Sequence, residues 1–298
     1  MRQTVGKLLE GKTPRQVAGA YNGQPLRVAD PACGSGSFLI GAYQCLLDWH
    51  RDWYVANLVP LLAAGKAAAS TEVRELLPVR PERRRSERGR KAGRDDEGPL
   101  PVFQGPGDAW RLTTAERVRC QASPCILLAH IFGVDIDDQA VEVTKMSLLL
   151  KVLEGENANT LSAQLSLFKE RALPDLGDNI KCGNSLVGPD FYQNEQMSLV
   201  PADEQYRINA FDWRSGFLQV FSGPEPGFDA VIGNPPYIRI QTMKEWAPLE
   251  VEYYKKRYQA ASKGNYDIYV VFVEKGLSLL NKQGRLGFIL PHKFFNAQ

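Results

Sequence analysis

The sequence predicts an α/β fold, a parallel sheet wrapped by helices, and three observations predict it. Short apolar runs alternate with amphipathic stretches along the 298 residues, the pattern of strand–helix–strand crossovers. One such run passes through a glycine-rich turn straight into a helix. No stretch is long and apolar enough to span a membrane.

Residues 1–25 read as an N-terminal helical segment, and MRQTVGKLLEGKTP lacks the apolar centre of a signal peptide. The main domain is expected over 26–298. Leu26, Val28 and Ala29 make its first strand, Asp30 ends that strand, and Gly34 and Gly36 turn the chain into a helix starting near Ser37. A dinucleotide site would carry G-x-G-x-x-G and place a pyrophosphate at the helix N-terminus. Here the third glycine is missing and a carboxylate precedes the turn. That carboxylate would repel a pyrophosphate but suits the amino group of a methionine moiety, so S-adenosylmethionine fits better than NAD. By itself the turn is equally an ordinary structural feature.

The helix continues through Tyr43, Leu46, Leu47 and Trp49, and Tyr54, Leu58, Leu61 and Leu62 extend it as a further turn or hairpin. An insertion follows over 50–130. In a compact mononucleotide unit the acid after the second strand lies about 20 residues beyond the glycine turn, whereas Asp135 lies 99 residues after Gly36. Within the insertion, residues 80–94 hold eight Arg and Lys against Glu82 and Glu87, a net +6, so the rest of a chain of net +2 carries −4. So polar a run reads as a loop, placed at 78–108, either simply solvated or acting as a phosphate-contacting arm. Thr113 or Thr114 then caps a helix through Val118.

Ile131, Phe132 and Val134 form the second strand with Asp135 at its carboxyl end, where an acid can accept both ribose hydroxyls of an adenosine. Asp137 or Asp138 caps the next helix, whose apolar face is read as Ala140, Val141, Met146, Leu148, Leu149 and Val152. Ile180 and Cys182 make a third short strand ending in the polar loop Gly183, Asn184 and Ser185.

The run FDAVIGNPPYIR supplies the chemistry. Phe228–Ile232 reads as a buried strand and Asn234, Pro235, Pro236 and Tyr237 follow it. An amine conjugated to a ring is a poor nucleophile until its geometry shifts toward tetrahedral. The Asn234 side-chain oxygen and the Pro235 carbonyl can each hold one of its hydrogens while the lone pair turns to an electrophilic methyl group. Tyr237 offers a flat face for an extruded base, a contact worth about 1–3 kcal/mol. The two prolines stiffen the backbone and remove two amide donors. This quartet equally suits a side-chain amide of a protein glutamine or a base of RNA, and a non-catalytic cofactor- or DNA-binding subunit is a third reading.

Together, DPACGSGSFL, GVDIDDQAV, CGNSL, IGNPPYIR, NYDIYVVFVEKGLSLL and GRLGFILPHKFF, spanning residues 26 to 295, resemble the gamma-ordered adenine-specific (N6) DNA methyltransferases of restriction-modification and phage-defence systems. The likeness is to the Eco57I-like type IIG kind, in which methylation is fused to, or partnered with, cleavage and target recognition. The resemblance implies a class-I, Rossmann-like S-adenosylmethionine-dependent methyltransferase fold. It implies that Asp30 with Pro31, Ala32, Cys33, Gly34, Ser35 and Gly36, and Phe38 beside them, binds the methionine part of the cofactor. It assigns Asp135 with Ile136 to the ribose, and Asn184 with Ser185 to the cofactor adenine, at a position where many relatives carry Asp. Asn234, Pro235, Pro236 and Tyr237 are assigned to the target base, with Asn234 also beside the cofactor. DNA and a restriction or specificity subunit or domain are the implied partners.

A helix over Tyr266–Asn281 and a fifth strand over Arg285–Leu290 are expected before the chain ends at Gln298. The class-I sheet has seven strands, so the expectation is a catalytic core with a truncated C-terminal sheet edge and no target-recognition domain, weak or inactive alone. The five cysteines, Cys33, Cys45, Cys120, Cys125 and Cys182, are scattered and odd in number, which fits reduced thiols and a cytoplasmic location. Cys120 and Cys125 have no second pair or histidine cluster nearby, so no metal site is expected.

Overall fold

The computed structural model describes residues 1–19, 24–64, 71, 126–154, 175–193, 201–262 and 264–292. The expectations for the basic run 80–94, the loop 78–108, the Thr113 or Thr114 cap, Cys120 and Cys125 lie outside the described residues. The chain divides into two compact units. Met1–Leu8, Arg27–Cys45 and His130–Gln298 form one, and Leu9–Leu26 with Leu46–Ala129 form the other.

The first unit holds a parallel five-stranded sheet: β1 (Val28–Asp30), β2 (Ile131–Asp135), β3 (Ile180–Cys182), β4 (Phe228–Gly233) and β5 (Leu280–Phe288), in the order β3-β2-β1-β4-β5. Val28 pairs with Ile131 on one side and Ala230 on the other. The inner strands are nearly continuous apolar runs because a parallel sheet is covered on both faces. One face carries an aromatic layer in which Phe132, Trp213, Phe217 and Phe228 pack at ring separations of 5.5–5.9 Å, mostly edge to face. On the other, Gly133 faces Leu39: a Cβ there would lie 2.7 Å from Leu39 Cδ1 and 3.2 Å from Cys33 Sγ. A second apolar cluster joins Leu186, Phe191, Ile240, Val251, Tyr254 and Phe272.

The helix after the glycine turn is one unbroken element, Ser37–Asn57, followed by Val59–Ala63. There is no hairpin at Tyr54, and the boundary between the units falls inside this helix. Asp137 caps the Asp138–Leu153 helix, accepting from Gln139 N at 2.9 Å. The buried face of that helix is Val141, Thr144, Leu148 and Val152, whereas Met146, read from sequence as part of it, is 60% exposed. Thr144 takes the inward position because its hydroxyl has a partner there, described below.

The Tyr269–Leu279 helix is shorter than Tyr266–Asn281, and β5 starts at Leu280 rather than Arg285 and ends at Phe288. The pairing steps from Phe228↔Leu280 to Ala230↔Arg285. This irregularity absorbs residues 281–284, with Asn281 Nδ2 donating to Asp229 Oδ1 at 2.9 Å. The π-helical turn Arg2–Gly6 lies against β5, where a Cβ on Gly287 would meet Thr4 Cγ2 at 2.3 Å.

In the second unit, Thr13 and Gln16 form a capping box on the short Pro14–Val17 helix. Leu26 N donates to Val17 O at 2.9 Å. His50 is buried with Nδ1 2.8 Å from Leu46 O, and burial pushes its pKa down to about 4. It is a neutral, packed histidine near pH 7.

Candidate active site

The strand order reverses direction at β1, which has β2 on one side and β4 on the other. In open α/β sheets ligands bind outside the carboxyl ends of the strands at such a switch point. Three of the predicted groups sit there. Asp30 is the last residue of β1, Asp135 the last of β2, and Asn234 follows Gly233 at the end of β4.

Asp30 is 1% exposed. Its Oδ1 accepts from Ala32 N at 3.0 Å, and its Oδ2, also buried, has no hydrogen-bond partner among the described residues. Burial pushes its pKa up to about 7, opposed by the Ala32 hydrogen bond and reinforced by the charge of Asp135. A buried acceptor in that condition is uncommon and is available to a further donor.

The Pro31–Gly36 turn is held from β2, from the helix that follows β2 and from the loop after β3. Cys33 N donates to Val134 O at 3.1 Å, Gly34 N to Asp135 Oδ2 at 2.7 Å, and Thr144 Oγ1 to Gly34 O at 2.6 Å. Ser185 Oγ donates to Pro31 O at 2.5 Å. Gly34 and Gly36 have φ of +53° and +82°, conformations that L side chains rarely adopt. A Cβ on Gly34 would have no atom within 4 Å, so the loop leaves open space over that residue, while one on Gly36 would press on Thr144 at 3.0 Å. Cys33 is buried with its thiol pushed well above the ordinary range, first by burial and then by Asp30 and Asp135, so it is no nucleophile. Phe38 is half-buried and Ser35 exposed at the turn.

Asp135 is half-exposed, its second oxygen accepting from Asp137 N at 3.1 Å, and the adjacent Ile136 is 51% exposed. The third loop is placed differently. Asn184 is 7% exposed, its Oδ1 accepts from Leu186 N at 3.1 Å, and its side chain also bonds the Tyr254 hydroxyl. Ser185 is 4% exposed and engaged with Pro31. Both residues are turned inward and shape the loop.

In the quartet, Asn234 and Tyr237 are exposed, Pro235 is buried and Pro236 half-buried. The Tyr237 hydroxyl lies on Asn234 Oδ1 and 2.8 Å from Ile289 O, and its ring meets Tyr269 edge to face at 5.8 Å. Ile289 N in turn donates to Gly233 O at 3.0 Å. Gly233 has φ +150°, and a Cβ there would lie 2.6 Å from Asp30 Oδ1. The Asp30 carboxyl and the base-side loop are therefore in direct contact. Thr144, Gly233 and Ile289 were missed from sequence. Only Thr144 left a signal, its helical spacing with Val141 and Leu148.

Residues 129–298 match the Eco57I restriction-modification methylase family. This chain belongs to that family. Its relatives within and around the methylase family include the type II restriction enzyme and methyltransferase RM.Eco57I of Escherichia coli, 27% identical over 297 residues, 100% of this chain and 22% of that protein. A putative type II restriction enzyme and methyltransferase of Methanocaldococcus jannaschii, RM.MjaORFECS2P, is 22% identical over 57% of this chain and 22% of its own length. The type II methyltransferase M.PaeR7I of Pseudomonas aeruginosa is 46% identical over 70 residues, 24% of this chain and 12% of that protein. The chain thus spans about a fifth of the length of the first two relatives. In this chain the sheet is the Rossmann-like parallel arrangement expected, and no described helix is long and apolar enough to cross a membrane.

Proposed function

We propose that this chain is the catalytic core of a DNA methyltransferase of a restriction-modification system, acting on the N6 amino group of adenine with S-adenosylmethionine as methyl donor. The observation that carries the reading is the contact of Gly233 with the buried Asp30 carboxyl, which sets an acceptor with no partner among the described residues beside the Asn234–Tyr237 loop, suited to a cationic amino group.

The residues present fit the cofactor. Asp30 Oδ2 is a buried acceptor without a partner among the described residues, the open Gly34 turn admits a ligand close to the backbone, and Asp135 retains lone pairs for hydroxyl groups. Pro31, Ala32, Cys33, Ser35, Gly36 and Phe38 complete the cradle, with Ile136 beside the ribose site. Asn184 and Ser185 contribute by holding the loop that walls the site rather than through free polar groups. S-adenosylmethionine supplies an activated methyl group.

On the base side, the Asn234 side-chain oxygen and the Pro235 carbonyl each accept a hydrogen bond from one amino hydrogen, drawing the nitrogen toward tetrahedral geometry, and Tyr237 stacks on the ring. The Tyr237 hydroxyl has two acceptors within reach, Asn234 Oδ1 and Ile289 O. When an adenine amino group engages Asn234, the hydroxyl turns to Ile289 and no donor is left unsatisfied. Incubation with isotopically labelled methyl donor and mixed DNA, followed by nucleoside mass spectrometry, tests the reading. N6-methyladenine that disappears in Asn234→Ala supports it, and label found only in RNA or protein would overturn it.

A further inference from the structure

The segment after the quartet is extended and alternates sharply in exposure. Tyr237 is 45% exposed and Arg239 exposed, while Ile238 packs against the second core cluster and Ile240 is 2% exposed within it. Arg239 has φ −69° and ψ 137°. In extended backbone, residues i and i+2 project from one side, so Tyr237 and Arg239 share the solvent side. The segment is pinned there: Ile240 N donates to Tyr266 O and Ile268 N to Ile238 O, each at 2.9 Å, framing an antiparallel bridge between Arg239 and Asp267. Asp267 is 9% exposed, and no ion pair engages the Arg239 guanidinium among the described residues.

We propose that Arg239 binds the backbone phosphate of the nucleotide whose base stacks on Tyr237, so that one extended segment grips that nucleotide by ring and phosphate together. This rests on the nucleic-acid reading above. An extruded nucleotide brings its phosphate with it, and Pro235 and Pro236 have no N–H to offer that charge. This extended segment itself carries a cation, Arg239, two residues or roughly 7 Å of extended chain from Tyr237, and a guanidinium meets two phosphate oxygens at once.

The test uses this chain and a fluorescent single-stranded DNA oligomer containing one adenine, followed by anisotropy over a salt series. Arg239→Ala should weaken binding and flatten the log affinity against log salt slope by about 0.7, the loss of one phosphate contact on a single strand. Arg239→Lys should restore most of the slope. Replacing the phosphate beside the adenine by an uncharged methylphosphonate should weaken binding of the unaltered chain and not of Arg239→Ala. Tyr237→Ala should leave the slope unchanged, and the double variant should lose less affinity than the product of the two single losses, because both groups hold one nucleotide. If Tyr237→Ala weakens binding while Arg239→Ala leaves affinity and slope intact, or if the methylphosphonate acts equally on both chains, this inference falls alone. If the unaltered chain binds neither this strand nor its RNA counterpart, the nucleic-acid reading falls with it. Circular dichroism of each variant separates these outcomes from misfolding.

Discussion

Replacing Asp30 by Asn should stabilise the ligand-free chain while removing its cofactor site. Asp30 is buried, and its pKa stands at about 7 rather than the ordinary 3.8. Because folding raises this pKa, the folded chain holds more protons than the unfolded one between about pH 4 and pH 7, and stability falls across that window as pH rises. Above pH 7 the full cost of the ionised carboxylate is about 4 kcal/mol, at ~1.4 kcal/mol per tenfold change. Asn keeps the oxygen that accepts from Ala32 N but brings N–H donors to a place where Oδ2 has no partner among the described residues. An unsatisfied buried donor costs about 1–3 kcal/mol, so the net gain expected at pH 8 is about 1–3 kcal/mol. Urea unfolding at pH 8 and pH 5 is the assay, and the advantage should shrink by about 2–3 kcal/mol at the lower pH. Calorimetry on the same proteins should find affinity for S-adenosylmethionine lowered about 10–100-fold, the worth of a charge-assisted hydrogen bond. In the unaltered chain, affinity should fall as pH drops below about 7, because the proton must leave Asp30 before it pairs with a cation. A stability difference that ignores pH, or an Asn variant that binds the cofactor as tightly, would refute the reasoning.

Other perturbations separate chemistry, positioning and folding. Asn234→Ala should lower the methylation rate by roughly 10²–10³ with little change in cofactor affinity, and equal losses in both would mean the residue serves the cofactor instead. Gly233→Ala places a methyl group 2.6 Å from Asp30 Oδ1 at φ +150°. It should cost about 1–3 kcal/mol in a denaturant melt and weaken cofactor binding as well. Thr144→Val keeps the shape but removes the hydroxyl that holds Gly34 O, so calorimetry should find weaker cofactor binding and a melt a loss of about 1–2 kcal/mol. Arg207→Ala strands the Glu250 carboxylate, which is 2% exposed and paired at 2.8 Å. With the arginine itself 34% exposed, the expected loss is about 2–3 kcal/mol near pH 7, below the 3–5 kcal/mol of a fully buried pair. A denaturant melt checks it, and adding Glu250→Gln to the variant should recover part of the loss because no stranded charge is then left, whereas no recovery would point to packing instead.

The strands, the glycine turn, the Asp137 cap and the order of the site loops were legible in the sequence because each rests on neighbours a few residues away: apolar periodicity, a positive φ that wants glycine, a carboxylate two residues before the amide it accepts from. The tertiary structure alone decided which polar groups remain available. Thr144 faces inward and Met146 outward because Gly34, 110 residues earlier, presents a carbonyl to the helix. Asn184, by sequence a residue of a polar loop, is drawn into the protein by Leu186 and Tyr254. Gly233 was only the residue before the quartet until β4 lay beside β1 and left no room between it and Asp30. The fifth strand begins early because its pairing with β4 steps across an irregularity that its own residues do not announce. Local propensity follows from a residue and its near neighbours, whereas burial, hydrogen-bond commitment and steric room depend on atoms that the chain brings together only when distant segments pack.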